Sequence, residues 1–320
     1  MKHLLTVVCL FAAVCTTASA RQAAPQPQAK PNIIAQVRAA IAKKDFAEGE
    51  RILGQYRAAN GDTPDALEAM SWLGRGALAE RALDRADTYA RETHRLSVAA
   101  LDKRELDAEP RVPIALGAAI EVQAHVLAQR GRLSEAVYFL NREIETYGRT
   151  SIRTRIQKNI NLLTLEGRPA PALRAREHLG AKPAALGDLK GKAVILFFWA
   201  HWCPDCKAQA PILEKLQQAY AGKGLVILAP TQRFGYVAGR KSARPEEETR
   251  YIEEVRQKFY GAIDMGITIS DEDYTAWGVS TTPTLVLVDR RGIVRLYHPG
   301  QMTMEELDPK VRLLLESATD

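Results

Sequence analysis

Two cysteines separated by two residues, Cys203 and Cys206, stand in the run Trp199-Ala200-His201-Trp202-Cys203-Pro204-Asp205-Cys206-Lys207. Thiols at this spacing at the start of a helix form a disulfide-exchange pair. The unpaired amides of the first helical turn and the helix dipole favour negative charge there, so the first sulfur can be a thiolate near neutral pH, and the second lies close enough to close a bridge. The competing chemistry for paired cysteines is a zinc site, which needs four ligands. The sequence has neither a second Cys-x-x-Cys pair nor a spaced histidine pair, so we expect no metal and no cofactor.

A strand must deliver this dithiol and a helix must hold it. Residues 193–199 are a continuous apolar run of buried-strand length, and residues 206–220 read as a helix with Pro211 as a candidate kink. A second buried strand follows at 225–229 and an amphipathic helix at 246–260. Then come a strand at 284–288, a turn at 289–292, a paired strand at 293–297 and a closing helix at 304–316. This order predicts an α/β fold with a mixed central sheet.

The chain has 320 residues and is 46% hydrophobic, enough for two domains with their own cores. Lys2 and His3, an apolar run to Val14 and Ala18-Ser19-Ala20 read as an export signal over residues 1–20. A membrane anchor is the alternative, disfavoured because the run is shorter than the ~20 apolar residues a spanning helix needs. Lipidation at Cys15 is disfavoured by the bulky Val14 before it. Cleavage after Ala20 removes Cys9 and Cys15, two of the four cysteines, and leaves only the Cys203/Cys206 pair. A mature exported chain with no other thiols points to redox chemistry rather than a disulfide scaffold. The expected location is the bacterial periplasm, soluble after cleavage and anchored if uncleaved. The formal charge of +6 is spread along the chain, and no nucleic-acid partner is expected.

Residues 21–31 carry three prolines and no apolar periodicity, as in a tether. Residues 32–165 have helical spacing throughout, and a helix-pair pattern recurs. Ile120, Ala124 and Leu127 precede a Gly131-Arg132 turn and then Ala136, Leu140 and Ile144; Met70, Leu73, Gly74 and Ala77 precede Ala86 and Ala90; Val37, Ile41, Phe46, Gly49 and Leu53 give a looser copy. Gly49, Ala86 and Ala136 fall where paired helices touch most closely. The pattern resembles tetratricopeptide repeats, with a helical bundle as the alternative, because the small residues are spaced by 37 and 50 rather than by about 34 positions. Stacked pairs would offer a surface for a protein partner. Residues 101–113, with Pro110 and Pro113, read as a loop interrupting the stack. The helical pattern stops at Gly167-Arg168-Pro169-Ala170-Pro171, which sets the boundary between the helical domain and the α/β domain, residues 166–320.

The stretch from Phe198 to Lys207, followed by Thr281-Thr282-Pro283-Thr284, resembles the thioredoxin superfamily. Residues 167–171 and Leu189-Lys190-Gly191-Lys192 narrow the resemblance to exported TlpA/ResA-like thiol-disulfide oxidoreductases. It covers residues 166–320 and implies a thioredoxin-like fold. It makes Cys203 the attacking nucleophile, Cys206 the resolving thiol and Pro283 a cis proline opposite them, with an ordinary trans turn as the alternative. Trp202, Pro204 and the Thr282 backbone are then expected to meet the substrate. Trp199 is either core or a wall of the site. His201 and Lys207 are read as solvated charges, with support of the thiolate as the alternative, and Asp205 would oppose the thiolate.

Two positions depart from the family pattern. Phe197 stands where thioredoxins carry a buried carboxylate six residues before the first cysteine, and Gln209 stands where ResA-like proteins carry a glutamate three residues after the second. Such a carboxylate accepts the proton of the resolving thiol; Glu214 and Asp205 are the substitutes the sequence offers. An excess of residues at 231–248 reads as either a substrate-facing lid or a surface insertion. The expected function is reduction of protein disulfides, with an electron-donor redox protein as second partner. The alternatives are an interaction scaffold and a thiol peroxidase.

Overall fold

The computed structural model describes residues 32–316. The export signal, the tether, Cys9 and Cys15 lie outside the described residues.

Among the described residues seven helices come first: α1 (Ile33–Ala42), α2 (Phe46–Asn60), α3 (Pro64–Ala79), α4 (Leu83–Leu101), α5 (Arg111–Gln129), α6 (Leu133–Tyr147) and α7 (Arg153–Thr164). α1/α2, α3/α4 and α5/α6 pack as pairs, and the first helices α1, α3, α5 and α7 also pack against one another in series. The small residues expected at the helix contacts are there. A Cβ on Gly49 would stand 3.0 Å from Leu73 and 3.7 Å from Ala40, and Ala86 and Ala136 are fully buried.

Each pair turns on the same three-residue closure, which only Gly131 announces in the sequence. Lys44, Arg81 and Gly131 all have positive φ. The next residue in each case, Asp45, Ala82 or Arg132, donates its amide to the carbonyl five residues back, at 2.9–3.0 Å. This is the bond that closes a helix through a left-handed residue, and it shows three equivalent hairpins where the spacing of small residues looked uneven. Residues 101–113 are shorter as a break than expected. Pro113 belongs to the first turn of α5, where a missing amide proton costs no intrahelical bond, and α5 packs against α4 across the connection. α5 is long and apolar enough to cross a membrane, but most of it is buried among its neighbours, with Ile114 exposed.

The second half is a six-stranded mixed sheet in the order β1-β6-β3-β2-β7-β8: β1 (Glu177–Leu179), β2 (Ala193–Phe198), β3 (Leu225–Leu228), β6 (Met265–Ile269), β7 (Thr284–Val288) and β8 (Val294–Pro299). β4 (Tyr236–Val237) and β5 (Lys241–Ser242) form a separate hairpin. β2 runs parallel to β3, with Ile195 beside Ile227, and antiparallel to β7, with Leu196 beside Val286. All six β2 residues are buried, because both faces of the central strand are covered. Ala193, Ile195 and Phe197 face α8 (Pro204–Tyr220), α9 (Pro245–Tyr260) and α11 (Met304–Glu316). Val194, Leu196 and Phe198 face Tyr274 and Trp277 at α10 (Asp271–Ala276), together with Leu165 from the end of the helical region.

Residues 166–170 are no loose linker. Gly167 donates to Val294, Val294 to Arg168 and Ala170 to Gly292, so the segment runs along the start of β8. α7 is held against α10 by the Asn161 side chain, which donates to the Trp277 carbonyl at 2.8 Å. Gly278 has positive φ, and a Cβ there would stand 2.4 Å from the Lys158 amide nitrogen, so only glycine permits this approach.

Candidate active site

β2 ends at Phe198 and α8 begins at Pro204, so the five intervening residues carry the site. Proline is pre-set for the first helical position, which makes Cys203 the N-cap. The Cys203 amide donates back to Ala200 at 3.1 Å. The Cys206 amide points at Cys203 Sγ at 3.1 Å, which is the donation that would stabilise a thiolate at that sulfur. The two sulfurs are at bonding distance, and their Cα atoms are 5.3 Å apart. Cys206 is fully buried and Cys203 nearly so.

The Thr282–Pro283 peptide bond is cis. The Thr282 carbonyl oxygen lies 3.3 Å from Cys203 Sγ, bringing together residues 79 positions apart. Trp202 is 44% exposed beside the dithiol, and Pro204 and Asp205 are exposed on the first turn of α8. Together these residues set an exposed aromatic surface and a backbone segment beside the nearly buried Cys203 sulfur. Trp199 is core: fully buried, its indole donates to the Ala229 carbonyl at 3.1 Å while Thr231 and Tyr274 bond its own carbonyl.

His201 corrects the sequence reading. It is 1% exposed, not solvated, and its Nε2 donates at 3.1 Å to Glu248, which is equally buried. Glu248 also accepts the backbone amides of Phe234 and Gly235. Phe234, Tyr236 and Tyr251 stand edge-on around the imidazole at 5.3–5.5 Å. Burial pushes the His201 pKa down, opposed by the hydrogen bond and charge of Glu248. Lys207 is half-buried, its ammonium 4.7 Å over the Phe259 ring.

The same contacts define residues 231–248. Glu248 holds the start of this segment to His201, Phe234 packs edge-on against Trp202 at 5.5 Å, and Arg233 pairs with Glu177 on β1. The segment is therefore fastened to the loop that carries Cys203. The sequence could not reveal this, because Glu248 reads as one more acidic residue in the first turn of a helix.

Gln209 is 1% exposed; its Oε1 accepts the Met302 amide at 2.9 Å, and its buried Nε2 meets no acceptor among the described residues. Phe197 packs against Tyr260, with ring centroids 5.9 Å apart. Of the substitutes offered by sequence, Asp205 is exposed, and Glu214 accepts from Gln218 one turn further along α8.

The Redoxin family matches residues 165–312. The Thioredoxin-like protein YneN of Bacillus subtilis is 32% identical over 149 residues, spanning 46% of this chain and 79% of that protein. The Thiol-disulfide oxidoreductase ResA of Bacillus thuringiensis is 32% identical over 142 residues, spanning 44% of this chain and 74% of the relative. The chain belongs to the ResA-like thioredoxin-fold family of thiol-disulfide oxidoreductases. A crystal structure of a putative thiol:disulfide interchange protein DsbE from Chlorobium tepidum is similar at 26% identity and a TM-score of 0.36, covering 47% of this chain and 97% of that one. The Redoxin match begins after α7, so it includes none of the seven N-terminal helices.

Proposed function

We propose that this chain is an exported reductase of protein disulfides. A Cys203 thiolate attacks a substrate disulfide, forming a mixed disulfide and releasing one substrate thiolate. Cys206, deprotonated, then attacks Cys203 Sγ, releasing the second substrate thiolate and closing the internal bridge. A donor dithiol protein reopens that bridge. The observation that carries this reading is the capped dithiol facing the Thr282 carbonyl, with Trp202 exposed beside it.

Under this reading, Thr282 and Pro283 form the platform against which an extended substrate segment lies, with Trp202 and Pro204 as its flanks. The tetratricopeptide-like region, residues 32–165, provides a second surface for a protein partner, and residues 1–20 direct export. The resemblance to ResA-like proteins favours reduction over oxidation. The deciding measurement is the equilibrium potential of the Cys203/Cys206 pair against glutathione: a value near about −270 mV supports a reductant, while one near about −120 mV refutes it in favour of an oxidant.

A further inference from the structure

Arg75 is where four helices of the N-terminal region bring their charges together. Its guanidinium lies 3.6 Å over the Trp72 ring, and that of Arg38, from α1, lies 4.3 Å over the same ring. Around it, Arg155 and Lys158 of α7 both bind Glu121 of α5, at 3.1 and 2.8 Å. Arg111 binds Glu68 and Asp65, each at 2.8 Å. Every carboxylate of this cluster is taken. Arg38 and Arg75 make no ion pair among the described residues; Arg75 Nη2 reaches only the Ser71 hydroxyl at 3.1 Å, and its Nε is buried with no acceptor. Burial and the nearby Arg155 and Arg38 press the Arg75 pKa down to about 10, against the pull of Glu121 and Glu68.

A guanidinium fork matches carboxylate or phosphate oxygens, and here the half-buried Arg75 and the exposed Arg38 stack on one ring with neither paired to a carboxylate. We propose that the Arg38–Trp72–Arg75 cluster is a binding site for a carboxylate group in an acidic segment of a partner polypeptide. The carboxylate accepts the free N–H groups of both arginines, and the Trp72 ring, already holding both guanidinium groups in place, limits the side-chain entropy lost on binding. A polypeptide suits the site better than a nucleic acid does. Two unmatched cations suffice for one or two carboxylates, while Glu68 and Glu121 beside them oppose a continuous polyanion. The proposal rests on the reading of the helical region as a partner surface, and makes that partner acidic.

The test is fluorescence anisotropy of a labelled, end-capped tetraglutamate peptide titrated with the full chain at low ionic strength. The wild type should bind it and not the capped tetraglutamine peptide. Arg38→Gln and Arg75→Gln should each weaken binding by roughly tenfold to a hundredfold, as expected for loss of a hydrogen bond to a charged group. Arg38 is exposed, so its variant should fold even if the Arg75 variant does not. Arg240→Gln, at an exposed hairpin position in the α/β region, removes the same charge and should leave binding unchanged. Lack of tetraglutamate binding by the wild type, retained binding in Arg38→Gln, an equal loss in Arg240→Gln, or tighter binding of a single-stranded oligonucleotide through the same arginines would each overturn the site. Exchange with glutathione disulfide, measured on the same proteins, should not differ between wild type and Arg38→Gln. If tetraglutamate binds as described but wild type exchanges no disulfide, the reductase reading fails and this site stands.

Discussion

Replacing Glu248 with Gln keeps its shape and removes its charge at the junction between residues 231–248 and the loop carrying Cys203. In the wild type one carboxylate accepts from His201 Nε2, Phe234 N and Gly235 N, and both side chains of the ion pair are 1% exposed. A glutamine has one acceptor oxygen, so its NH2 group must face at least one of these donors, leaving a buried N–H without a partner and weakening the remaining bonds. Each such loss costs about 1–3 kcal/mol, so the variant should be destabilised by roughly 2–4 kcal/mol. Urea unfolding at neutral pH followed by tryptophan fluorescence measures this. The same variant should free the β4/β5 hairpin, whose Arg240 and Lys241 are exposed trypsin sites, so limited proteolysis there should accelerate. Destabilisation below about 1 kcal/mol with unchanged cleavage would refute the view that Glu248 fastens this segment.

Acidification probes the same pair. Folding holds the His201 pKa below its ordinary value of 6.5, so the unfolded chain binds the proton more readily. Stability from this group is complete above that pH and falls as pH drops towards the folded pKa, by at most ~1.4 kcal/mol per pH unit. A His201→Asn variant should lose this slope, as unfolding at stepped pH will show. Cys206→Ser should accumulate partners as reducible adducts on Cys203; absence of adducts while wild type turns over a model disulfide would invalidate the assignment of the nucleophile. Gly278→Ala sets a methyl group against the Lys158 backbone at a positive φ. It should destabilise the chain by about 2 kcal/mol or more, read from the urea midpoint.

Much of the fold was readable because its signals are local. The alternation of apolar runs and helical periods placed β2, β3, β7, β8, α8, α9 and α11, and the spacing of small residues announced paired helices. β6 and the short edge strand β1 were missed, since five and three residues with mixed exposure carry no period distinguishable from loop. The equivalence of the three helical turns was hidden because Lys44 and Arg81 adopt the left-handed conformation that glycine advertises and a lysine or arginine does not.

The order of residues alone was enough to place the dithiol between an apolar strand and a helix, because those features depend on neighbours along the chain; the proline opposite it was an implication of the thioredoxin resemblance. What surrounds them depends on contacts between distant parts of the chain. His201 and Glu248, 47 positions apart, become a buried pair because a loop and the first turn of α9 pack face to face. Arg38 and Arg75 become charges without carboxylates because the helices that meet around them spend their acids on other cations. Charge and hydropathy are properties of a residue; burial and pairing are properties of the place the fold puts it.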